Sequence, residues 1–429
     1  MPKVSPWYVR TGRSGCAVSH EAGESAGRGS RKTPAGAAGM ACYNRRFAKN
    51  PAMLKLRSFF LALLCFPVLV IAQQLPTPPA LAAKSWLLVE MASGQQLASQ
   101  APDQRLEPAS LTKLMTAYLS FAAIKQGTIK LDQAVPVSQK AWKTGGSRMF
   151  IQIGTQVKVE DLLKGMIVQS GNDACVALAE AIAGDEENFA QMMNREAQRL
   201  GMKGSSFRNS SGLPDPQHYT TAQDLAILAA ALIRDFPEEY AKYYSMKEFR
   251  YNNITQPNRN RLLYIDPTVD GLKTGHTEAA GYCLVSSAKR GSRRLLSVVL
   301  GAASDSTRAQ ESLKLLNYGF QFYDAVQLYA KNEAVSSLKV WKGKEATVKL
   351  GFANDLVIAV PKGFGPKIRS ELVSQQPLIA PIALGQVLGT LKVSVDDKPY
   401  GDYPVLALEA VPVAGIVGRM VDTVRLWFK

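Results

Sequence analysis

Short apolar runs at the two ends of residues 84–330 predict an antiparallel sheet built from strands that are distant in sequence. Ser85–Glu90 and Gln96–Ser99 flank a turn that contains glycine, which is typical of a β-hairpin. Leu284–Ala288 and Leu295–Leu300 flank a charged turn and predict a second hairpin. We expect the two hairpins to form one sheet, because each has an apolar face to bury.

Between these hairpins, apolar residues recur every three to four positions, as in amphipathic helices. Pro108 begins one such pattern and Gly127 ends it. The capping-box sequence Thr221-Ala-Gln-Asp224 begins another. Further helices are predicted at 159–167, 172–183, 188–200 and 311–323. The pattern therefore predicts an α+β fold in which a helical insert separates the terminal strands.

The apolar pattern changes after residues 84–330, which we call the mixed half because they combine predicted helices and strands. From about Ala334 the apolar segments are short, β-rich and interrupted by Gly, Pro and Asp, which predicts a small all-β domain over 334–412. Residues 414–429 return to a helical period, with apolar residues on one face and charged residues on the other. Such a helix is typical of an anchor that lies in the plane of a membrane. A helix docked on its own β domain is the alternative.

Two segments precede the mixed half. Residues 1–52 are rich in Gly, Ser, Ala and Arg without apolar periodicity, and we interpret them as disordered or as a start codon assigned too early. Residues 53–72 have the form of a secretory signal peptide, because Lys55 and Arg57 precede the apolar run Phe59–Ile71. That run is short for a bilayer-spanning helix, which favours a removed signal over a retained anchor.

The formal net charge of +16 overstates the basic character of the exported protein. Residues 1–72 hold 11 Lys and Arg against 2 Asp and Glu, so the remainder has only a mild basic excess. That excess suits an anionic membrane surface or an acidic polymer. No zinc-finger spacing, aromatic RNA-binding motif or basic repeat occurs, so nucleic acid is not an expected partner.

Only two of the five cysteines, Cys175 and Cys283, lie beyond the expected signal peptide. Export would permit a disulfide between them. Both lie in apolar segments, which favours two buried free thiols. We predict no metal site, because His218 and His276 lack neighbouring ligands at a useful spacing.

Three short motifs carry the chemistry: Ser110-Leu-Thr-Lys113, Ser170-Gly-Asn172 and Lys273-Thr-Gly275. Each alone is weak, since a serine at a helix N-terminus is usually a cap and K-T-G is usually a turn. Their ordered co-occurrence is the signature of serine acyl-transferases that recognise penicillin.

The residue types fit acyl transfer without a histidine base. Ser110 is the candidate nucleophile, and Lys113 lies one helical turn later on the same face. Lys113 can act as the base if burial and a second cation, Lys273, lower its pKa. Ser170 can hydrogen-bond Lys113 and pass a proton to the leaving amine, and Asn172 can hold Lys113 and the substrate amide. Positive charge and a hydroxyl for a substrate carboxylate come from Lys273 and Thr274.

From about Ser85 to its C-terminus the chain resembles the low-molecular-mass penicillin-binding proteins, specifically the D-alanyl-D-alanine carboxypeptidases of the penicillin-binding protein 5 and 6 type. The resemblance implies a β-lactamase/transpeptidase-like domain at 84–330 followed by a β-rich C-terminal domain. Beyond the three motifs and the general layout, it rests on Pro108–Lys113, Gln169–Cys175, Asp270–His276 and Arg308–Ser312.

The resemblance implies a role for each matching residue. Ser110 is acylated, Lys113 is the base, and Ser170 and Asn172 serve proton transfer and substrate positioning. The opposite wall is implied to consist of Lys273, Thr274 and Gly275. The backbone N–H groups of Ser110 and His276 would form the oxyanion hole, and Arg308 would help to bind the terminal carboxylate. The family can carry a histidine where this chain has Ser211, so no catalytic histidine is assigned there.

The implied reaction removes the terminal D-Ala from a peptidoglycan pentapeptide without a cofactor. β-Lactams would acylate the same serine, and the final helix would hold the enzyme peripherally on the periplasmic face of the bacterial inner membrane. A β-lactamase is disfavoured by the second domain and the tail. A D,D-endopeptidase of the same superfamily is a closer alternative. A non-catalytic wall-binding protein is disfavoured by the complete motif set.

Overall fold

The structure, a computed structural model, describes residues 77–428. The segments 1–52 and 53–72, assigned above to a disordered or wrongly assigned start and to a signal peptide, lie outside the described residues. The elements of the mixed half are β1 (Ser85–Glu90), β2 (Gln96–Gln100), α1 (Lys113–Lys125), β3 (Ala134–Pro136), α2 (Gln139–Lys143), β4 (Gln156–Lys158), α3 (Val159–Val168), α4 (Asn172–Ala183), α5 (Glu186–Leu200), α6 (Ala222–Asp235), α7 (Pro237–Tyr243), β5 (Glu248–Tyr251), β6 (Ile254–Pro257), α8 (Leu262–Ile265), β7 (Val269–Thr277), β8 (Gly281–Arg290), β9 (Arg293–Ala302) and α9 (Asp305–Phe322).

One antiparallel sheet organises the mixed half, in the strand order β2-β1-β9-β8-β7. Side chains alternate across β1, because successive residues of a strand point to opposite faces. Leu87 and Val89 enter the large core shared with the helical insert, whereas Trp86 and Leu88 enter a second core beneath α9. The sheet is therefore covered on both faces, and β7 is left at its edge.

The helical insert follows β2 and precedes β7, as the apolar pattern predicts. Helix α1 lies in the middle of the large core and is buried on nearly all of its surface. The predicted N-cap at Thr221 is present, since its hydroxyl accepts the N–H of Asp224 at 3.0 Å. The reciprocal half of a capping box does not form, because the Asp224 carboxylate accepts instead from the N–H of Gly204 and the hydroxyl of Ser205, both at 2.7 Å.

Helix α9 begins at Asp305, earlier than the predicted start at 311. The Ser304 hydroxyl accepts the N–H of Thr307 at 3.0 Å and caps the helix. Apolar periodicity missed this first turn because one of the residues it buries is the charged Arg308.

The β-rich half contains eight of the described strands and a separate apolar core. Its main sheet has the order β14-β16-β17-β12-β11-β15. The sequence analysis places the start of this half near Ala334, but β10 begins at Tyr323 and pairs with β13. The strands are β10 (Tyr323–Tyr329), β11 (Ala334–Trp341), β12 (Thr347–Gly351), β13 (Leu356–Pro361), β14 (Ile368–Ser374), β15 (Leu378–Ile379), β16 (Val387–Val395) and β17 (Lys398–Ala407).

The last described element is helix α10 (Ile416–Trp427). The carboxylate of Asp422, in this helix, accepts a hydrogen bond from the backbone N–H of Lys342 at 2.7 Å. The apolar side chains of the helix are exposed, and Trp427 is 80% exposed. Within residues 77–428, no helix has both the length and the apolar content needed to cross a bilayer. The α+β fold with a β-rich segment and a final helix, predicted from the sequence, is confirmed.

Candidate active site

Ser110 lies in a short 3-10 turn, Ala109–Thr112, that leads directly into α1. The residue before it, Ala109, has a φ of 46°, a left-handed conformation that non-glycine residues rarely adopt. Such backbone conformations concentrate at functional sites because the surrounding structure must hold them in place. Here the surrounding structure includes β7, which packs against the turn.

Lys113 lies at the first position of α1 and is 1% exposed. Its Nζ donates to Ser110 Oγ at 2.9 Å, to Asn172 Oδ1 at 2.7 Å and to the carbonyl oxygen of Ser211 at 2.7 Å. Burial lowers the pKa of Lys113 to about 8, and the positive charge of Arg259 acts in the same direction. A substantial fraction of Lys113 is therefore neutral near physiological pH, with its nitrogen in contact with the Ser110 hydroxyl.

Ser170 lies in the connection between α3 and α4 and has a φ of 63°. Its hydroxyl accepts from Lys273 Nζ at 3.0 Å, whereas the sequence analysis expected Lys113 as its partner. Lys273 Nζ also donates to the carbonyl oxygen of Thr274 at 3.1 Å. Burial lowers the pKa of Lys273 well below its usual value, and three cations act in the same direction: Lys113, Arg259 and Arg308.

Asn172 connects Lys113 to one wall of the site. Its Nδ2 donates to the carbonyl oxygen of Gly145 at 2.7 Å. Its backbone N–H donates to the carbonyl oxygen of Ser147, also at 2.7 Å. The next residue, Asp173, accepts the backbone N–H groups that follow in this loop, from Met149, Phe150 and Ile151. The loop at 145–151 is therefore fixed to the start of α4 by hydrogen bonds from both residues.

The opposite wall is the edge strand β7, which carries Lys273, Thr274, Gly275 and His276. An edge strand leaves one row of backbone groups free of strand pairing, and here that row faces the Ser110 turn. The contact is close, because a Cβ on Gly275 would lie 3.0 Å from the carbonyl oxygen of Pro108. A side chain at position 275 would therefore separate the two walls.

The last two predicted residues lie around the end of β7. The His276 ring is exposed and lies 4.0 Å from the ring of Tyr282, measured between centroids. Arg308 is buried behind the strand, where Nη1 donates to the carbonyl oxygen of Gly275 at 3.1 Å and Nη2 pairs with Asp305. The structure thus gathers the three motifs into one cleft and puts the charge of Arg308 behind the K-T-G strand.

Sequence reasoning missed several contributors. Arg259 lies in a segment with no motif, yet its charge acts on both lysines. Ser211 takes part through its backbone oxygen, which no side-chain pattern reveals. Asp173 entered the sequence analysis only as part of the family-like segment Gln169–Cys175 and was given no role. A carboxylate in the first turn of a helix is nevertheless a common hydrogen-bond acceptor, and Asp173 accepts the N–H of Met149.

Cys175 and Cys283 are both buried free thiols, which confirms the prediction and excludes the disulfide. Burial raises the pKa of Cys175 to about 12 and that of Cys283 to about 11. Both thiols are therefore protonated and poor nucleophiles near neutral pH. Within residues 77–428, no group of three or more His, Cys, Asp or Glu side chains could hold a metal ion.

Two protein-family models match consecutive parts of the chain. The model of the D-alanyl-D-alanine carboxypeptidase family matches residues 72–304, which is more than half of the sequence. The chain belongs to the D-alanyl-D-alanine carboxypeptidase family. The model of the C-terminal domain of penicillin-binding protein 5 matches residues 323–413. The family predicted from the three motifs is therefore confirmed.

Individual proteins of this family and of related penicillin-binding proteins are similar to the chain in sequence and in structure. The chain is 42% identical to the D-alanyl-D-alanine carboxypeptidase DacC of Escherichia coli K12, over 84% of this chain and 92% of the relative. Penicillin-binding protein 5 of Haemophilus influenzae is similar in structure, with a TM-score of 0.76 and 42% identity over 79% of this chain and 99% of that one. The ampicillin-bound penicillin-binding protein D2 of Listeria monocytogenes has a TM-score of 0.53 and 30% identity, over 57% of this chain and 100% of that one.

Proposed function

We propose that this serine D-alanyl-D-alanine carboxypeptidase removes the terminal D-Ala of a peptidoglycan pentapeptide through an acyl-enzyme on Ser110. The observation that carries the proposal is the 2.9 Å contact between Lys113 Nζ and Ser110 Oγ, in a site where burial lowers the pKa of Lys113 to about 8. A neutral amine in contact with a hydroxyl is the arrangement that general-base activation of a serine requires.

In the acylation step, Lys113 takes the Ser110 proton as Oγ attacks the carbonyl carbon of the D-Ala–D-Ala bond. The negative charge that develops on the carbonyl oxygen is stabilised by the backbone N–H groups of Ser110 and His276. The position of β7 as an edge strand supports this role, because the strand packs against the turn that carries Ser110.

The leaving D-Ala needs a proton on its amine. The Ser170 hydroxyl, which lies 3.0 Å from Lys273 Nζ, is the donor we propose. The proton that Lys113 took from Ser110 replaces the one that Ser170 gives up, so that Lys113 becomes neutral again. Asn172 holds Lys113 through Oδ1 and keeps the loop at 145–151 beside the substrate through Nδ2. Once the C–N bond breaks, D-Ala departs and the tetrapeptide remains on Ser110 as an ester.

The carboxylate of the terminal D-Ala is recognised by positive charge and a hydroxyl on the opposite wall. Lys273 and Thr274 supply these groups, and Gly275 lets the strand lie close to the nucleophile. Arg308 adds positive potential from behind the strand.

Water then completes the reaction. Lys113, neutral again after D-Ala has left, accepts a proton from the water as the water oxygen attacks the ester carbonyl. It returns that proton to Ser110 Oγ as the C–O bond breaks, which releases the tetrapeptide and restores Ser110. A β-lactam presents a reactive amide to the same serine, so covalent penicillin binding follows from the same geometry. The proteins named penicillin-binding among the relatives support this expectation.

We assign the two family-matched segments to two domains, a catalytic domain at 84–330 and a β-rich domain at 334–412. The enzyme works in the periplasm, where residues 53–72 would direct it. Helix α10 attaches it peripherally to the inner membrane, and the exposure of its apolar residues supports this attachment.

Release of D-Ala from a pentapeptide that ends in D-Ala–D-Ala, measured with and without penicillin, tests the proposed function. We expect release that penicillin abolishes, and no release or covalent labelling in Ser110→Ala. Cleavage of a cross-linked peptide dimer in place of the pentapeptide would replace the proposal with an endopeptidase. Labelling that persists in Ser110→Ala would remove Ser110 as the nucleophile.

A further inference from the structure

His218 belongs to none of the three motifs, and the proposed reaction does not use it. It is 2% exposed, and its Nε2 lies 2.9 Å from the Oγ1 of Thr112. Thr112 stands between Ser110 and Lys113 in the turn that carries the nucleophile. The imidazole therefore contacts the backbone segment that links the nucleophile to its base.

The second ring nitrogen settles which atom of His218 carries the proton. The backbone N–H of Arg208 donates to Nδ1 at 3.3 Å, so Nδ1 is an acceptor. A neutral imidazole then has its hydrogen on Nε2 and donates it to Thr112 Oγ1. His218 thus joins two chain segments, the turn at 109–112 and the start of the loop after Arg208.

That loop holds a hydrogen-bond acceptor of Lys113. Asn209 Oδ1 accepts the backbone N–H groups of Ser211 at 3.2 Å, Gly212 at 2.7 Å and Leu213 at 3.1 Å. The loop is closed on itself in this way, and the Ser211 carbonyl points at Lys113 Nζ at 2.7 Å. His218 connects the base of the same loop to the nucleophile turn.

We propose that His218 is a positioning residue, which ties the 209–213 loop to the Ser110 turn and thereby holds the Ser211 carbonyl against Lys113 Nζ. The inference rests on the proposed function, in which Lys113 is the base. Without this link the loop keeps the hydrogen bond from Thr116 Oγ1 of α1 to the Ser210 carbonyl oxygen at 2.5 Å, but it has no side-chain hydrogen bond to the Ser110 turn itself. The Ser211 carbonyl is then held less firmly against Lys113 Nζ.

The charged groups around His218 and Lys113 allow the effect of His218 on the titration of Lys113 to be measured separately. Burial lowers the pKa of His218 to about 4, so the ring is neutral over the working range; Asp215 opposes this effect, and Arg208 and Lys113 add to it. The titratable or charged groups that act on Lys113 are Cys175, Arg259, Asp173 and Lys273. A substitution at His218 alters none of these groups, so a change in the Lys113 titration would report on the Ser211 carbonyl.

The test is the pH dependence of Ser110 acylation by penicillin in His218→Leu. We expect acylation to slow by between about 10-fold and 100-fold, since small misplacements of reacting groups have effects of this size. The midpoint of the limb that rises with pH should fall by about one pH unit, because the lysine ammonium loses a hydrogen-bond acceptor and its charged form becomes less stable.

Variants of the same contact separate positioning from packing. Thr112→Val removes the acceptor and should reproduce the shift, whereas Thr112→Ser keeps the hydroxyl and should not. His218→Gln offers a donor at a similar distance and should restore much of the wild-type profile. Phe207→Leu is the matched control, because Phe207 packs against His218 with ring centroids 5.6 Å apart and makes neither hydrogen bond.

Folded His218→Leu and Thr112→Val that both keep the wild-type rate and midpoint would overturn the inference. Thr112→Val carries the test by itself if His218→Leu does not fold, as judged by circular dichroism. Failure of the wild-type enzyme to be acylated is a different result, which would overturn the proposed function instead.

Discussion

At the scale of single residues, the site depends on a lysine that the fold keeps away from water. Lys113 donates to three oxygens, each of which favours its charged form. Burial opposes them and dominates, so the pKa of Lys113 falls to about 8. This balance leaves the amine both well oriented and available as a base near neutral pH.

The first prediction follows from that pKa. Acylation of Ser110 by penicillin should become faster as the pH rises, with a midpoint near pH 8, because only neutral Lys113 can accept the Ser110 proton. Stopped-flow or quenched labelling between pH 6 and pH 10 measures the profile, over a range chosen to bracket a base of this kind. A profile that is flat across the whole range would rule out Lys113 as the titrating base.

Lys113→Arg is the companion variant. Arginine keeps the positive charge but does not deprotonate in proteins. We therefore expect the rising limb to disappear and acylation to fall by about 100-fold or more. Thermal unfolding checks that the variant is folded.

At the scale of elements, a turn and a loop pack together beside the nucleophile. Gly212 has a φ of +86°, and a Cβ at this position would overlap the carbonyl oxygen of Ala109. Ala109 immediately precedes Ser110 and has itself a left-handed conformation. Only glycine allows the two backbones to approach this closely.

Gly212→Ala should therefore slow penicillin acylation by about 10-fold or more and destabilise the fold by about 1–3 kcal/mol, through the overlap and the strained φ together. Gly127→Ala is the matched control, since Gly127 has a similar φ of +77° with nothing within 4 Å of an added Cβ. The control should lose about 1 kcal/mol and acylate normally. Equal acylation rates in the two variants would show that the contact with Ala109 has no part in placing Ser110.

Helix α9 offers a second prediction at this scale. Ser304 caps the helix, and Arg308 lies one turn further on behind the K-T-G strand. Ser304→Ala should lower the free energy of unfolding by about 1 kcal/mol, whereas Ser304→Asp keeps a capping oxygen and should be nearly neutral. Chemical denaturation measures both, and an equal loss in the two variants would contradict the cap.

At the scale of the whole molecule, polar contacts join the mixed half to the β-rich half. The amide of Gln95, in the β1–β2 turn, donates to the hydroxyl of Tyr400 at 2.5 Å and accepts the N–H of Ala359 at 2.5 Å. The last helix, α10, makes a hydrogen bond to the β-rich half through Asp422 while its apolar face stays exposed. The proposed attachment to a lipid surface depends on this exposed apolar face.

Deletion of residues 414–429 should move the enzyme from the pellet to the supernatant when it is sedimented with anionic lipid vesicles. D-Ala release should be unchanged, because the active site lies in the mixed half. Met420→Glu with Val424→Glu breaks the apolar face without shortening the chain and should have the same effect. Continued sedimentation of both variants with vesicles would contradict the anchor.

The sequence alone determined the local elements and the chemical candidates. Strand β1 and helix α4 have the predicted bounds, because period-two and period-3.6 patterns with clear end signals specify backbone geometry locally. Ser110 and Lys113 lie one turn apart on one face for the same reason. The ordered motifs also identified the family, which the comparisons confirm.

Only the tertiary structure decided how these pieces act together. The Ser110 turn, the Ser170 connection and strand β7 are far apart in sequence, and they meet because the helical insert and the sheet bury a shared core. Burial of Lys113, the pairing of Ser170 with Lys273, and the contribution of the Ser211 carbonyl all arise from that meeting. Desolvation and hydrogen bonding depend on the atoms around a group, and a one-dimensional pattern does not contain those neighbours.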